Sequence, residues 1–299
     1  QYSTVAAGPG TRAGWSPTDL GRLFLWLRIV ADRDPDLAPA AEAAVRRTRT
    51  EGVLRDGFLW GRTVAGRRAR DFQEGRIGYE QYAAAGFAAW ELPVHHAQAL
   101  SRYALPMRVL GQPVLADLRG DDRLTSDPLV LLGMEVGWDG EGERLARGVL
   151  AAQEERWRRS GRVTIVGEDA LPLPPHYFYY YCVYSHGREF AVDVQDPGAV
   201  VEGPRWVSAK NAFAWHALLP SDYTRLAVRA VRAAGGRRGW AGGVYEEGGR
   251  STGGESVNTQ AVILEAALYH RTRKPFLARP GSAPVGAAAA RSEPSEEGS

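Results

Sequence analysis

The sequence has 299 residues, enough to bury the core of one or two domains, and its 44% hydrophobic and 24% charged residues are typical of a globular protein. A formal net charge of +2 with scattered arginines argues against a nucleic-acid-binding protein. No apolar run approaches the ~18 residues that a membrane span needs. The single cysteine, Cys182, excludes an internal disulfide and a cysteine-based metal site.

The first predicted elements are a pair of helices that follow an irregular lead-in at residues 1–14. Ser16 is a good N-cap, Pro17 fits the first helical position, and Asp19 falls at the capping-box position. An apolar stripe follows, and a second amphipathic helix is predicted over residues 36–50. Because the connection is short, we expect the two helices to form an antiparallel pair.

A hairpin and a helix with one smooth face are predicted next. Residues 53–72 alternate loosely around Asp56-Gly57, which predicts a β-hairpin. The helix that follows ends before Pro93 and repeats a set of mostly small residues at spacings of three and four: Gly78, Tyr82, Gly86 and Ala89. Small residues on that face would let another helix approach closely.

The remainder of the chain is predicted to be mostly helical, with one aromatic hairpin. The hairpin pairs an extended tract at 176–184 with a return strand at 189–194, because Ser185-His186-Gly187 has the composition of a turn. Helices are predicted over residues 94–103, 126–136, 141–160, 205–219, 221–234 and 256–271.

These elements predict a mainly α fold. Eight or so helices in successive short-looped pairs, with small β-hairpin insertions, indicate an α/α-hairpin array that forms an (α/α) toroid or part of one. A glycine-rich loop is expected at 235–254. We expect one α/α-toroid-type domain over residues 1–279 and a disordered tail over residues 280–299, where almost nothing is apolar enough to pack.

Several well-known catalytic motifs are absent. The chain has no G-x-S-x-G elbow, no H-E-x-x-H, no Walker loop and no G-x-G-x-x-G after a strand. Of the six histidines only His95 and His96 are neighbours, and adjacent helical residues point in different directions. We therefore expect no metal and no cofactor, and the nucleophilic hydrolase, metalloenzyme and nucleotide-binding classes are disfavoured.

Carboxylates and aromatic residues near helix starts remain as candidate site residues. Aromatic rings stack against the apolar faces of sugars, and carboxylates hydrogen-bond hydroxyls or move protons. Cleavage of a glycosidic bond needs two carboxyl groups, one of them protonated, on opposite sides of the bond. The candidates in helix starts or in the loops before them include Asp19, Trp60, Glu74, Tyr79, Glu80, Tyr82 and Trp240.

Each polar candidate also has a purely structural interpretation. Asp19 could be only the capping-box acid of the first helix, and Glu80 only a first-turn residue favoured by the helix dipole. Glu74 could merely stabilise its turn. Glu135 lies on an apolar helix, so it is either paired or functional. Lys210 could bind a carboxylate partner or be solvated.

Six segments, in order along the chain, resemble the domain-of-unknown-function 3131 family of bacteria: residues 14–23, 74–83, 125–135, 207–216, 238–242 and 255–265. Members of that family often accompany exported or exopolysaccharide-related genes. The resemblance therefore implies an exported protein, although the chain itself shows no signal peptide. The family usually has further helices before the first segment, which implies that this chain is the C-terminal part of a domain.

More remotely, the pattern is similar to α/α-toroid glucanases that act on β-1,2-glucans and carry a Ser-x-x-Asp helix start and a Tyr-x-Glu-type helix in their cleft. That resemblance implies that Asp19 and Glu80 are the catalytic carboxylates, one a general acid and the other a base or nucleophile. One departure is Asp127, which stands where the family has glutamate. The substrate-binding residues would be Trp60, Glu74, Tyr79, Tyr82, Glu135, Lys210 and Trp240.

The leading hypothesis is therefore an exported glycoside hydrolase that acts on a bacterial glucan or exopolysaccharide by two-carboxylate acid/base chemistry. A second hypothesis is a non-catalytic glycan-binding or scaffold module of an envelope or exopolysaccharide system. A third is a polysaccharide lyase, with Tyr79 or Tyr82 as proton donor and Lys210 holding a uronate. All three expect a polysaccharide or oligosaccharide as partner and no nucleic acid. The sequence leaves the oligomeric state open.

Overall fold

A computed structural model gives the architecture of residues 14–65, 68–117, 119, 122–174, 176–194, 201 and 203–277. Residues 1–13 of the predicted lead-in and the predicted tail at 280–299 lie outside these described residues. The extent of the predicted domain over residues 1–279 stays a prediction.

The helices follow the predicted order. The helices predicted over 126–136, 141–160 and 256–271 agree with the observed bounds to within one residue at each end. The observed helices are α1 (Pro17–Arg33), α2 (Ala38–Arg47), α3 (Tyr79–Ala88), α4 (His95–Gln98), α5 (Leu100–Tyr103), α6 (Asp127–Glu135), α7 (Gly140–Ser160), α8 (Ala209–Leu218), α9 (Asp222–Ala230) and α10 (Val257–Thr272), with a 3-10 turn at Val231–Ala234.

Strands occupy many of the connections. They are β1 (Leu54–Arg55), β2 (Phe58–Ala65), β3 (Arg68–Gln73), β4 (Ala104–Val109), β5 (Gln112–Asp117), β6 (Gly167–Ala170), β7 (Phe178–Tyr181), β8 (Tyr184–Ser185), β9 (Arg188–Glu189), β10 (Val192–Val194), β11 (Trp206–Ser208), β12 (Gly235–Gly236), β13 (Gly239–Trp240) and β14 (Gly243–Tyr245). All the pairings between these strands are antiparallel.

The prediction of a mainly α toroid is wrong. The structure is 45% helix and 23% strand, with the strands in several small sheets, so its content is mixed α and β. No element was predicted where β4 and β5 lie, because Pro106 and Pro113 interrupt the alternating pattern. β11 and β14 were missed because each is short and is stabilised by pairing with the other, which local periodicity does not show.

The first helix begins as predicted. Pro17 is its first residue, and the Ser16 hydroxyl accepts a hydrogen bond from the Asp19 N–H at 3.2 Å. The helix ends at Arg33, where the N–H of Asp34 donates to the carbonyl of Val30. Ser16 and Pro17 therefore specify the start of α1 locally.

The predicted aromatic hairpin is confirmed and belongs to a larger sheet. β7 pairs with β10, and Tyr181 lies opposite Val192. β8 and β9 form a small ladder in the connection. The other edge of β7 pairs with β6, which was not predicted, so the sheet order is β10-β7-β6.

Small residues bring α1 and α3 into close contact, as the smooth face of α3 predicts. A Cβ atom added to Gly86 would overlap the carbonyl oxygen of Gly21, and one added to Gly21 would overlap the backbone of Ala83. Beside this contact the rings of Phe24 and Phe87 pack edge to face with centroids 5.3 Å apart. Backbone contact between two helices requires glycine at these positions.

Replacing Gly86 with alanine is expected to lower the free energy of unfolding by about 3 kcal/mol, the upper end of the cost of overpacking, because the added methyl meets backbone that cannot rotate away. Urea denaturation measures the change. Gly140→Ala is the matched control, since a Cβ there meets only the end of Arg144, at 3.7 Å. Equal stability of the two variants would contradict the close packing of α1 on α3.

Candidate functional site

The buried ion pair of Asp127 and Lys210 binds the N–H and the carbonyl oxygen of Glu168 in β6. Lys210 of α8 donates to the carbonyl oxygen of Glu168 and lies 2.7 Å from Asp127 Oδ1. Asp127 Oδ2, at the start of α6, accepts from the N–H of Glu168 at 2.9 Å and from Asn211 Nδ2 at 3.0 Å. Asp127 and Lys210 therefore fix the position of Glu168 through its main chain, leaving its side chain for other contacts.

The alternation of β6 separates two neighbouring carboxyl groups. Asp169 points inward, where its Oδ2 accepts from Trp206 Nε1 at 2.8 Å and its Oδ1 lies 3.8 Å from Lys210 Nζ. Glu168 points to the other face of the sheet and keeps 12% of its side-chain surface exposed. Of these two side chains, Glu168 is the one that keeps exposed surface, although its Oε1 atom is buried.

The Glu168 carboxyl lies in an environment that favours its protonated form. Burial raises its pKa; the charges of Arg76 and Lys210 lower it, and those of Asp169 and Glu74 raise it further. Arg76 Nη1 is 3.8 Å from Glu168 Oε1, and within the described part of the chain no donor lies within hydrogen-bonding distance of that oxygen. A carboxyl with a raised pKa and limited exposure is suited to proton donation.

Glu80 is a second carboxyl with a raised pKa. It lies in the first turn of α3, is fully buried, and accepts from Gln73 Nε2 at 2.7 Å and from Arg119 Nη2 at 2.8 Å. Burial raises its pKa to about 8, against the opposing effect of Arg119, and the charges of Asp117 and Glu74 add to the increase. Its predicted catalytic role stays a prediction, but a substrate would have to move covering side chains to reach it.

The charge of Glu74 acts on both Glu80 and Glu168. Glu74 follows β3, is half-buried, and its charge contributes to the raised pKa of both Glu80 and Glu168. We call Glu74, Glu80 and Glu168, with Arg76 and Arg119, the carboxylate cluster. Two carboxyl groups with a raised pKa, each affected by the charge of a third, are typical of a site that transfers protons.

The buried Glu80 carboxyl predicts a pH-dependent stability. Its ordinary pKa of 4.5 rises to about 8 in the folded state, so between these values the native protein holds a proton that the unfolded chain has lost. The stability that Glu80 provides below pH 4.5 is therefore lost as pH rises to about 8. Replacing Glu80 with glutamine should raise Tm relative to the parent by more at pH 8 than at pH 5, as measured by thermal unfolding across pH.

The exposed Glu247→Gln variant is the control for that measurement and should follow the parent at every pH. If the Tm of Glu80→Gln differs from that of the parent by the same amount at pH 5 and at pH 8, Glu80 does not hold a proton in the native state.

Two of the predicted substrate-binding residues lie in a separate interior cluster. Glu135 ends α6, is fully buried, and accepts from the Tyr82 hydroxyl at 2.7 Å. Burial raises the pKa of Glu135 well above its ordinary value and that of Glu265 to about 7, while the charge of Arg22 opposes both. The charge of Glu265 raises the pKa of Glu135 further. Glu135 therefore has a hydrogen-bond partner in Tyr82, and its predicted role in substrate binding stays a prediction.

Other predicted site residues have varied surroundings. Asp19 is exposed in the first turn of α1, and Tyr79 is buried under the Arg76 guanidinium, 3.4 Å from the ring centroid. Trp60 lies on β2 opposite Gln73, next to the carboxylate cluster. Trp240 packs edge to face against a phenylalanine ring, with centroids 4.8 Å apart.

Lys210 binds a carboxylate partner, Asp127, as one of its two sequence interpretations predicts. It is 4% exposed, and its donors are directed to Asp127, to the carbonyl of Glu168 and to Asn258 Oδ1, the last at 2.9 Å. Since an ammonium group has three N–H donors, these contacts use all of them. Lys210 therefore acts inside the protein and does not face a ligand.

Sequence reasoning missed Glu168, Arg76 and Arg119. Arg76 lies in a segment, residues 74–82, that already contained four candidates, so its charge between Glu74 and Tyr79 was an available signal. Glu168 had no comparable local signal, because its position depends on main-chain contacts from residues 41 and 42 positions away in sequence.

Two classes of feature are absent from the described ranges. Among those residues, no group of three or more His, Cys, Asp or Glu side chains could hold a metal ion. Within the same part of the chain, no helix has both the length and the apolar character needed to cross a bilayer.

The fold and the site define a mixed α and β protein with a carboxylate cluster set between a short sheet and the start of a helix. The model of a family described as "Protein of unknown function (DUF3131)" matches residues 1–273, so the chain belongs to that family. Comparisons with curated proteins and with solved structures find no match. The family resemblance is confirmed, whereas the remote similarity to β-1,2-glucanases is not shown.

Proposed function

We propose that the protein is a carbohydrate-active enzyme, a glycoside hydrolase that acts on a bacterial glucan or exopolysaccharide. The observation that carries the proposal is Glu168, a carboxyl group with a raised pKa on a side chain that is 12% exposed, held through its main chain by Asp127 and Lys210. Hydrolysis of a glycosidic bond needs such a group to protonate the leaving oxygen. Export of the protein stays part of the proposal.

The second carboxyl group of the reaction is assigned to Glu74. It is half-buried, and its charge adds to the raised pKa of Glu168, so the two carboxyl groups interact electrostatically. Their placement on opposite sides of one bond is part of the proposal. Asp19, exposed in the first turn of α1, is not used in this assignment. Glu80 is treated as a positioning residue: it accepts hydrogen bonds from Arg119 and from Gln73, the residue that precedes Glu74.

The lyase hypothesis is weaker than the hydrolase hypothesis. Its uronate-binding group was Lys210, whose three donors are directed to protein atoms. Its proton donors were Tyr79 and Tyr82, which are both buried. The hydroxyl of Tyr82 donates to Glu135 in the interior cluster.

Incubating the protein with a panel of β-linked glucans and bacterial exopolysaccharides tests the proposal. Release of reducing ends without ultraviolet-absorbing product is the expected result. Unsaturated product would select the lyase. Retention on a polysaccharide gel without any product would favour the non-catalytic binding module.

A further inference from the structure

A row of side chains runs along the face of the β6–β7–β10 sheet that carries Glu168; it is buried at Asp193 and exposed at Phe178. The register sets Tyr180 opposite Glu168 on one side and opposite Asp193 on the other. Directly opposed residues of antiparallel strands point to the same face. Because side chains alternate along a strand, Phe178 lies on this face too, one step farther from Glu168.

Phe178 is an exposed aromatic residue with a fixed orientation. It keeps 36% of its surface exposed, and its ring packs edge to face against Tyr180 with centroids 5.3 Å apart. The alternate residues of the strand, Tyr179 and Tyr181, are buried on the inner face. Phe178 and Tyr180, on the opposite face, are therefore not needed to fill the core. A solvent-facing aromatic surface next to polar groups is typical of a binding surface.

The charged groups along this row are balanced. The Arg123 guanidinium lies 4.7 Å from the Tyr180 ring centroid and donates to Asp193 at 2.8 Å; both side chains are nearly fully buried. Arg76 lies 3.8 Å from Glu168. The Arg123–Asp193 pair is neutral, and the charges of Arg76 and Glu74 have opposite effects on the pKa of Glu168, so the row favours a neutral sugar over a uronate.

We propose that Phe178, oriented by its edge-to-face contact with Tyr180, forms a subsite for a neutral glucan chain whose scissile bond lies at Glu168. The apolar face of one glucose unit would stack on the Phe178 ring while the next unit reaches the carboxyl group. The assignment of this subsite to a reaction rests on the proposed function, whereas its binding of the sugar does not.

Substitution of Phe178 by alanine tests the subsite, with Tyr177→Ala as the matched control. Tyr177 is more exposed, at 61%, but it precedes β7 and is not part of the row. Phe178→Ala should weaken binding of a long neutral glucan oligosaccharide about 10-fold, the effect of truncating an aromatic binding residue. Tyr177→Ala should bind like the parent. Titration calorimetry measures the affinities.

Hydrolysis of a long and a short oligosaccharide by the same variants separates the two proposals. Phe178→Ala should raise KM about 10-fold for the long substrate and leave the short one unchanged. Normal binding and hydrolysis by Phe178→Ala, or equal losses in Tyr177→Ala, would overturn the subsite and leave the hydrolase intact. Binding that depends on Phe178 without hydrolysis would support the subsite and refute the hydrolase. Failure of the parent to bind any glucan would overturn the subsite.

Discussion

Replacing Glu168 with glutamine is expected to lower kcat for glycan hydrolysis by about 100-fold to 10,000-fold, the contribution of a general acid. Glutamine has nearly the same shape but cannot release a proton to the leaving oxygen. The contacts that hold residue 168, from Asp127 and Lys210, are made to its main chain, so the fold should be unchanged. Reducing-end release and the Tm of the variant measure the two effects.

The choice of substrate distinguishes a proton donor from a binding residue. A glycoside with an activated aryl leaving group needs little protonation, so Glu168→Gln should lose much less rate on it than on a natural glycan. The exposed Glu247→Gln variant should keep parental rates on both. Parental hydrolysis by Glu168→Gln, or equal losses on the two substrates, would remove the acid role from Glu168.

Replacing Lys210 with methionine is expected to lower the free energy of unfolding by about 3–5 kcal/mol, the cost of breaking a buried ion pair. Methionine fills a similar volume but leaves Asp127 and Asp169 without their cation in a buried environment. It also removes the bond to the carbonyl of Glu168, so β6 should be held less firmly. Denaturant titration measures the loss of stability.

The chain offers a matched control for that variant, because Lys274 is its other lysine and is exposed. Lys274→Met should change the free energy of unfolding by less than about 0.5 kcal/mol. Combining Lys210→Met with Asp127→Asn should cost less than the sum of the two single changes, since the second removes a charge that the first leaves unpaired. Equal stability of the two lysine variants would contradict the role given to Lys210.

Helix starts could be predicted from the sequence because their causes are local. Ser16 and Pro17 set the first turn of α1, and Ser256 caps α10 through the N–H of Thr259. The same reasoning did not find the paired strands β4 and β5, which depend on each other across a turn. The local sequence pattern therefore predicted most of the helices but few of the strands.

The candidate site was predicted only in part, for a related physical reason. Glu74 and Glu80 lie within one segment, so their proximity was visible in the sequence. Glu168 joins them through strand register and through the buried Asp127–Lys210 pair. Contacts between residues distant in sequence leave no local periodic signal.

The measurement that tests the carboxylate cluster most directly is a crystal structure of Glu168→Gln with a neutral glucan oligosaccharide bound. We expect one glucose unit stacked on Phe178, with a glycosidic oxygen about 2.6–3.2 Å from the side chain at position 168 and Glu74 on the other side of the bond. An oligosaccharide bound on a different surface, with the carboxylate cluster still in contact with solvent, would contradict it.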